Sequence, residues 1–241
     1  MLKPPSFLHN PRLLWLLLAA FATVALWQMP FGNFVLYPFT ILATWFHEMG
    51  HGLTAIALGA HLDRLSIFRN GSGLAHISGR IALGALGSAL VSAGGLMGPP
   101  IAGGFLLIAS RTRNSARRAL FILGVLLVLS TLLWVRTIAG WLVLPLLGIA
   151  TFYLSLETAE WLQIFAVQFL GVQACISSYK QLDYLFSSSA TINGRTLRSD
   201  TGNISKMLLL PHWFWGFLLA TFAFLVLAES LQIACKPAPE A

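Results

Sequence analysis

Residues 43–60 read "ATWFHEMGHGLTAIALGA" and carry His47, Glu48 and His51 in the order His-Glu-x-x-His. Two histidines four residues apart share one face of a helix. Neutral imidazoles at that spacing can hold one Zn2+, and Glu48 can take a proton from the zinc-bound water. Zinc lowers the pKa of that water enough to supply hydroxide near neutral pH. This is hydrolase chemistry, yet it sits in a run apolar enough to read as a membrane span. Between Arg12 and His61 there is no other Asp, Glu, His, Lys or Arg. Ionisable side chains inside a membrane are costly and mark function by default.

A catalytic zinc commonly has three protein ligands and one open position. The third ligand must come from another part of the chain, which has three aspartates, Asp63, Asp183 and Asp200. Asp183 lies in "GVQACISSYKQLDYLF", where apolar character resumes after it. A helix running on to Phe186 places Asp183 within the membrane, with Lys180 one turn earlier free to snorkel. The ends of the second and sixth spans fall on the same side, so the two elements can meet. The expected metal ligands are therefore His47, His51 and Asp183, with Glu48 as the catalytic base. The alternative for Asp183 is an interfacial pair with Lys180. Asp200, in "RSDTGN", reads as a helix N-cap. His76 is a substitute ligand or, more commonly for such a position, a surface histidine. His212, beside Trp213 and Trp215, reads as interfacial.

The elements that must position these residues follow from composition. Of 241 residues, 57% are hydrophobic and 10% charged, whereas soluble domains carry about a quarter charged residues. The chain reads as an all-α polytopic membrane protein, a single integral-membrane domain over 1–241 with about six or seven transmembrane helices. Spans are expected near 13–29, 34–58, 84–109, 118–135, 138–156, 161–186 and 207–228. The first has Lys3 and Arg12 ahead of it, as in a signal peptide, but its apolar run is long enough for a retained helix. The third contains "SAGGLMGPPIAGG". Its small residues allow close helix approach in lipid, and Pro99 and Pro100 are expected to kink or break it.

Two segments are not spans. Residues 61–80 alternate in short pieces around Asn70-Gly71, which predicts a short β-hairpin directly after the His-Glu-x-x-His helix. Residues 187–206, "SSSATINGRTLRSDTGNISK", are polar and rich in Gly, Ser, Thr and Asn, and read as a loop. The net charge of +7 comes from basic residues between apolar runs. It fits topology and anionic headgroups of the lipid bilayer and gives no reason to expect nucleic acid. With the N-terminus inside, the larger share of Lys and Arg falls inside, although the cluster Arg111, Arg113, Arg117 and Arg118 falls outside. Cys175 and Cys235 lack metal-motif spacing, and Cys175 reads as a buried free thiol.

Taken together, "HEMGHGLTAIALGA", "NGSGLA", "SAGGLMGPPIAGG", "SSYKQLDYL" and "RSDTGNISKMLLLPHWFWG" resemble the site-2 protease family of membrane zinc metallopeptidases. More narrowly, they resemble its compact bacterial and plant subgroup, which lacks an added PDZ or CBS domain. The resemblance covers residues 40–220. It implies that His47 and His51 are the zinc histidines and Glu48 the general base. The family's third ligand is an Asp in Leu-Asp-Gly, matched here at Leu182-Asp183, with Tyr184 in place of the Gly and the upstream Asn-Pro element absent.

The resemblance implies an intramembrane endopeptidase that cuts membrane proteins in or near a transmembrane segment, located in a bacterial inner membrane or an organelle membrane. The scissile bond lies in the membrane, so the zinc must too, and water must reach it through a polar cavity. The 61–80 hairpin can pair with an unwound substrate as an added strand, or serve as a plain connection. Two other readings stay open. One is a catalytically inactive relative that binds membrane helices or zinc. The other is a metal or ion transporter, which would want more polar residues on several spans.

Overall fold

A computed structural model describes residues 11–157, 159–180 and 182–236. Lys3 and the side chain of Lys180 lie outside what it describes, and so does the expected pairing of Lys180 with Asp183. The chain is mostly helical. Helices α1 (Pro11–Gln28) and α2 (Gly32–Ala57) lead into strands β1 (His61–Ile67) and β2 (Gly73–Ser78). Helices α3 (Gly84–Ala109), α4 (Arg113–Leu133), α5 (Ile138–Leu156), α6 (Glu160–Lys180) and the short α7 (Leu182–Leu185) follow. A second pair of strands, β3 (Ser189–Ile192) and β4 (Arg195–Arg198), precedes α8 (Asp200–Leu208) and α9 (His212–Cys235).

Among the described residues four helices, α3, α4, α5 and α9, are long and apolar enough to cross a membrane, and α1 has a shorter apolar run at Leu16–Leu26. Of the expected six or seven spans, four stand on length and apolarity alone. Both α2 and α6 carry polar groups inside their apolar runs: His47, Glu48 and His51 in one, Gln163, Gln168 and Gln173 in the other. The outward faces of α4, α5 and α9 expose Phe121, Leu126, Leu142, Leu146, Phe217 and Phe224. An apolar surface of that extent belongs in lipid rather than water, and the protein is an integral membrane protein.

Helices α2 and α3 approach through glycine. A Cβ on Gly50 would strike the Gly94 carbonyl, and one on Gly98 would strike the Phe46 carbonyl, so any larger residue must push the helices apart. Of the kink or break expected at Pro99 and Pro100, the break does not occur: α3 runs on as one helix through both. Both prolines are buried, and tight glycine contacts with neighbouring helices flank them on either side. Polar ties add to the packing: Trp45 Nε1 donates to Ser130 Oγ at 2.9 Å, and Gln163 Nε2 donates to the carbonyls of Leu154, Ser155 and Glu157.

The hairpin expected after α2 is present. Strands β1 and β2 are antiparallel, pairing Ile67 with Gly73 and Leu65 with Ala75, with a register shift between Leu62 and Arg64. Phe68 N donates to Ser72 O, and Gly71 N to Phe68 O. Asn70 Oδ1 accepts from the backbone and hydroxyl of Ser72. Gly71 stands at φ 83°, so this is the three-residue hairpin loop that needs glycine in the left-handed region. The outer edge of β1 is already used. Leu65 exchanges hydrogen bonds with Trp134 O and Arg136 N, and Ile67 does so with the Thr137 hydroxyl. Their partners Ala75 and Gly73 therefore point their own N–H and C=O groups away from β1, towards the open edge of β2.

The segment 187–206, expected as a loop, is instead structured. Asn193 (φ 48°) and Gly194 (φ 77°) form a two-residue turn, and β3 and β4 pair antiparallel on either side of it, with Ile192 opposite Arg195. Asn-Gly is the strongest short hairpin signal; the polar composition of the flanks obscured it. Ser199 then caps α8, its Oγ accepting from Gly202 N at 3.1 Å. Asp200, read from sequence as the cap, is the first helical residue instead.

Candidate metal centre

Helix α2 carries His47 and His51 on one face, with His47 and Glu48 buried. From the other side, α8 brings in Asp200, which is also buried. Ile204 on α8 packs with Ala89, Leu96, Leu185 and Leu219, which seats the helix against α3, α7 and α9. The capping hydroxyl of Ser199 also donates to the Ser187 carbonyl, so the start of α8 is fixed at both its backbone ends.

The three side chains converge. His47 Nε2 lies 3.1 Å from His51 Nε2 and 3.2 Å from Asp200 Oδ2, and His51 Nε2 lies 3.5 Å from Asp200 Oδ1. Among the described residues these three form the group of His, Cys, Asp and Glu side chains able to hold a metal ion. The donor set fits zinc. Ligand atoms about 2.0–2.1 Å from a tetrahedral zinc stand roughly 3.3–3.4 Å from one another, close to the separations here, where the two histidines approach different oxygens of the one carboxylate. His51 Nδ1 lies 2.8 Å from the Val91 carbonyl. A carbonyl only accepts, so Nδ1 carries the proton, and in the neutral ring Nε2 turns its lone pair to the cluster. An ionised carboxylate and imidazole lone pairs sit this close only with a proton or a cation between them. Burial by itself would push the Asp200 carboxyl up; when Nε2 of the histidines carries a proton instead of facing a metal ion, the charge of His51 and hydrogen bonds from both rings outweigh burial and hold the carboxyl well below the usual range.

Tyr184 supports Asp200. Its hydroxyl donates to Asp200 Oδ2 at 2.8 Å and accepts from Asp200 N at 3.2 Å, while its ring stands edge-on to His47 with centroids 6.2 Å apart. Two glycines make room. A side chain at Gly95 would run into the His51 ring, and one at Gly73 would run into the Glu48 carboxylate.

The structure brings His47, Glu48 and His51 together, as their spacing implies, but it does not bring in Asp183. That residue is exposed on α7, and the position beside the histidines belongs to Asp200. The expectation is corrected for a simple reason. Neighbours on a helix point about 100° apart, and Tyr184 rather than Asp183 takes the inward direction. His76 is also elsewhere, with Nε2 3.1 Å from Ser66 Oγ on the hairpin. His212 opens α9. Sequence reasoning missed Asp200 and Tyr184. The usable signal was Ser199, as good a cap as the Asp that follows it, which leaves Asp200 free for another role.

The cluster opens into a cavity of about 510 Å³. Gly73 and Ala75 of β2 line one part of it, and Ala190, Ile192 and Arg198 of the second hairpin line another. The recess brings His47, Glu48, His51, Asp200 and Arg198 together inside an otherwise apolar molecule. No curated protein and no solved structure matches the chain. A family model described as Peptidase M50B-like matches residues 16–230. With that match over most of its length, the chain belongs to the Peptidase M50B-like family, within the site-2 proteases.

Proposed function

We propose that the protein is an intramembrane zinc endopeptidase that hydrolyses peptide bonds in or near transmembrane segments of other membrane proteins. The observation that carries this is the convergence of His47, His51 and Asp200 beside Glu48 in a cavity bordered by an open strand edge. His47 Nε2, His51 Nε2 and a carboxylate oxygen of Asp200 would hold the ion. A bound zinc supplies Lewis-acid polarisation of water and of the scissile carbonyl. Glu48 takes a proton from the attacking water on its carboxylate and passes it to the leaving amide nitrogen as the C–N bond breaks. Tyr184 and the Val91 carbonyl keep Asp200 and His51 in position.

The substrate segment lies extended along β2. The backbone groups of Gly73 and Ala75 point to that edge, so an unwound segment can add to it as a strand. A transmembrane helix must lose its internal hydrogen bonds before it is cut, and strand pairing replaces them. A bacterial inner membrane or an organelle membrane is the setting that suits such a substrate. The reading as an inactive relative drew on the altered Leu-Asp-Gly element, and Asp200 in the third position removes that support.

The test is co-expression with single-span membrane proteins, comparing wild type with Glu48→Gln. The variant is expected to retain zinc and to lose cleavage by about 10²–10⁴-fold, the range for removing a general base. Cleavage at the wild-type rate by zinc-loaded Glu48→Gln protein would refute the mechanism.

A further inference from the structure

Behind the metal centre, the polar segment 187–206 builds a second cavity of about 540 Å³. Arg198, Lys206 and His212 line it, together with the hydroxyls of Ser189, Thr196 and Ser205. No Asp or Glu lines it. The one acidic residue in the segment is Asp200, whose oxygens face His47, His51 and Tyr184 in the other cavity. Among the described residues, neither Arg198 nor Lys206 is in an ion pair.

The two cations are held in different ways. The stem of Arg198 lies over Gly202, where a Cβ would come 2.8 Å from its Cγ. Lys206 stands exposed one turn further along α8. His212 Nε2 lies 3.1 Å from the Phe186 carbonyl, to which it donates, so that N–H is spent on the backbone and the ring forms a wall of the cavity. His212 also opens α9, one of the apolar spans. Leu209 and Trp213 beside it are 93% and 57% exposed. Exposed tryptophan at the start of a span marks the headgroup level of a bilayer. The cavity therefore offers two unpaired cations and several hydroxyl donors at the depth where phosphate groups lie.

We propose that this cavity binds a phosphate group at the membrane surface through Arg198 and Lys206, supplied by an anionic phospholipid headgroup or by free phosphate. A guanidinium and an ammonium with hydroxyl donors around them match the acceptor-only oxygens of a phosphate. The proposal stands independently of proteolysis. Arg198 lines this cavity and the metal-centre cavity alike, so a bound phosphate also steadies the β4 side of the latter.

The experiment uses the full chain purified in detergent and native mass spectrometry with dioleoyl phosphatidylglycerol, with and without millimolar inorganic phosphate. Wild type is expected to retain one phosphatidylglycerol. The double variant Arg198→Gln/Lys206→Gln is expected to retain it about tenfold less or worse, the order for losing charge-assisted hydrogen bonds. Lys206→Arg is expected to bind as wild type does, and equal circular dichroism spectra establish that the variants fold. Retention that inorganic phosphate does not displace assigns the site to a lipid headgroup, and displacement assigns it to free phosphate. Equal retention by wild type and double variant, or no retention by either, overturns the proposal.

Discussion

Tyr184 and Asp200 hold each other by two hydrogen bonds, one from the phenol to Asp200 Oδ2 at 2.8 Å and one from Asp200 N back to the phenol oxygen at 3.2 Å. The pair joins α7 to the first turn of α8 and fixes which carboxylate oxygen faces His47. A carboxylate held in this way loses less freedom when it takes up a metal ion. Tyr184→Phe keeps the ring and removes both bonds. It is expected to weaken zinc binding by about 10–100-fold, as other losses of partners behind a ligand do. Chelator competition on the purified protein measures it, and an unchanged affinity would show that Asp200 needs no such support.

The two aspartates should behave oppositely. Asp200→Asn removes a charged ligand from the cluster, and zinc content is expected to fall by more than the roughly 10–100-fold typical of a supporting residue. Asp183→Asn changes an exposed side chain on α7 and should leave zinc content at the wild-type level. Elemental analysis of the two purified variants decides between the carboxylates, and loss of zinc in Asp183→Asn alone would reverse the assignment.

Gly95 faces the His51 ring so closely that a methyl group has no room. Gly95→Ala must shift either the ring or α3 and is expected to cost about 1–3 kcal/mol of stability, as overpacking does. It should lower zinc affinity as well, because the ring moves off the triangle. Gly59→Ala is the control that carries backbone strain without overpacking, since its φ is 83° and nothing lies within 4 Å of that position. Thermal unfolding with and without zinc separates the two effects: Gly95→Ala should gain less from the metal than wild type does.

Ser199 caps α8 and donates to Ser187 O as well. Ser199→Ala is expected to cost about 1 kcal/mol from the lost cap. It should also loosen the first turn, which carries Asp200, and so raise hydrogen exchange at Gly202 and Asn203. Unchanged exchange there would mean that packing of Ile204 alone secures the helix start.

Sequence alone determined the membrane class, the placement of His47, Glu48 and His51 on one helix and the hairpin after α2. Each of these is local. Apolar run length, the four-residue spacing of two histidines on a helix and the Asn70-Gly71 turn depend on neighbours in the chain, and the structure reproduces all three. The second hairpin was equally legible in Asn193-Gly194, but its polar flanks read as a loop. Four of the expected spans stand on length and apolarity alone among the described residues. Runs interrupted by His47, Glu48 and His51 or by Gln163, Gln168 and Gln173 count as spans only if packing covers their polar groups.

Only the tertiary structure decided which aspartate meets the histidines. Asp183 and Asp200 are both remote from His47 in sequence, so the choice rests on helix rotation and on how α8 seats against α3 and α9. A rotation of about 100° between adjacent helical residues turns Tyr184 inward and Asp183 outward, and Ser199 takes over the cap and frees Asp200. Long-range contacts of this kind leave no periodic trace in the chain. They follow from Ile204 finding its place among Ala89, Leu96, Leu185 and Leu219, which is a property of the packed molecule.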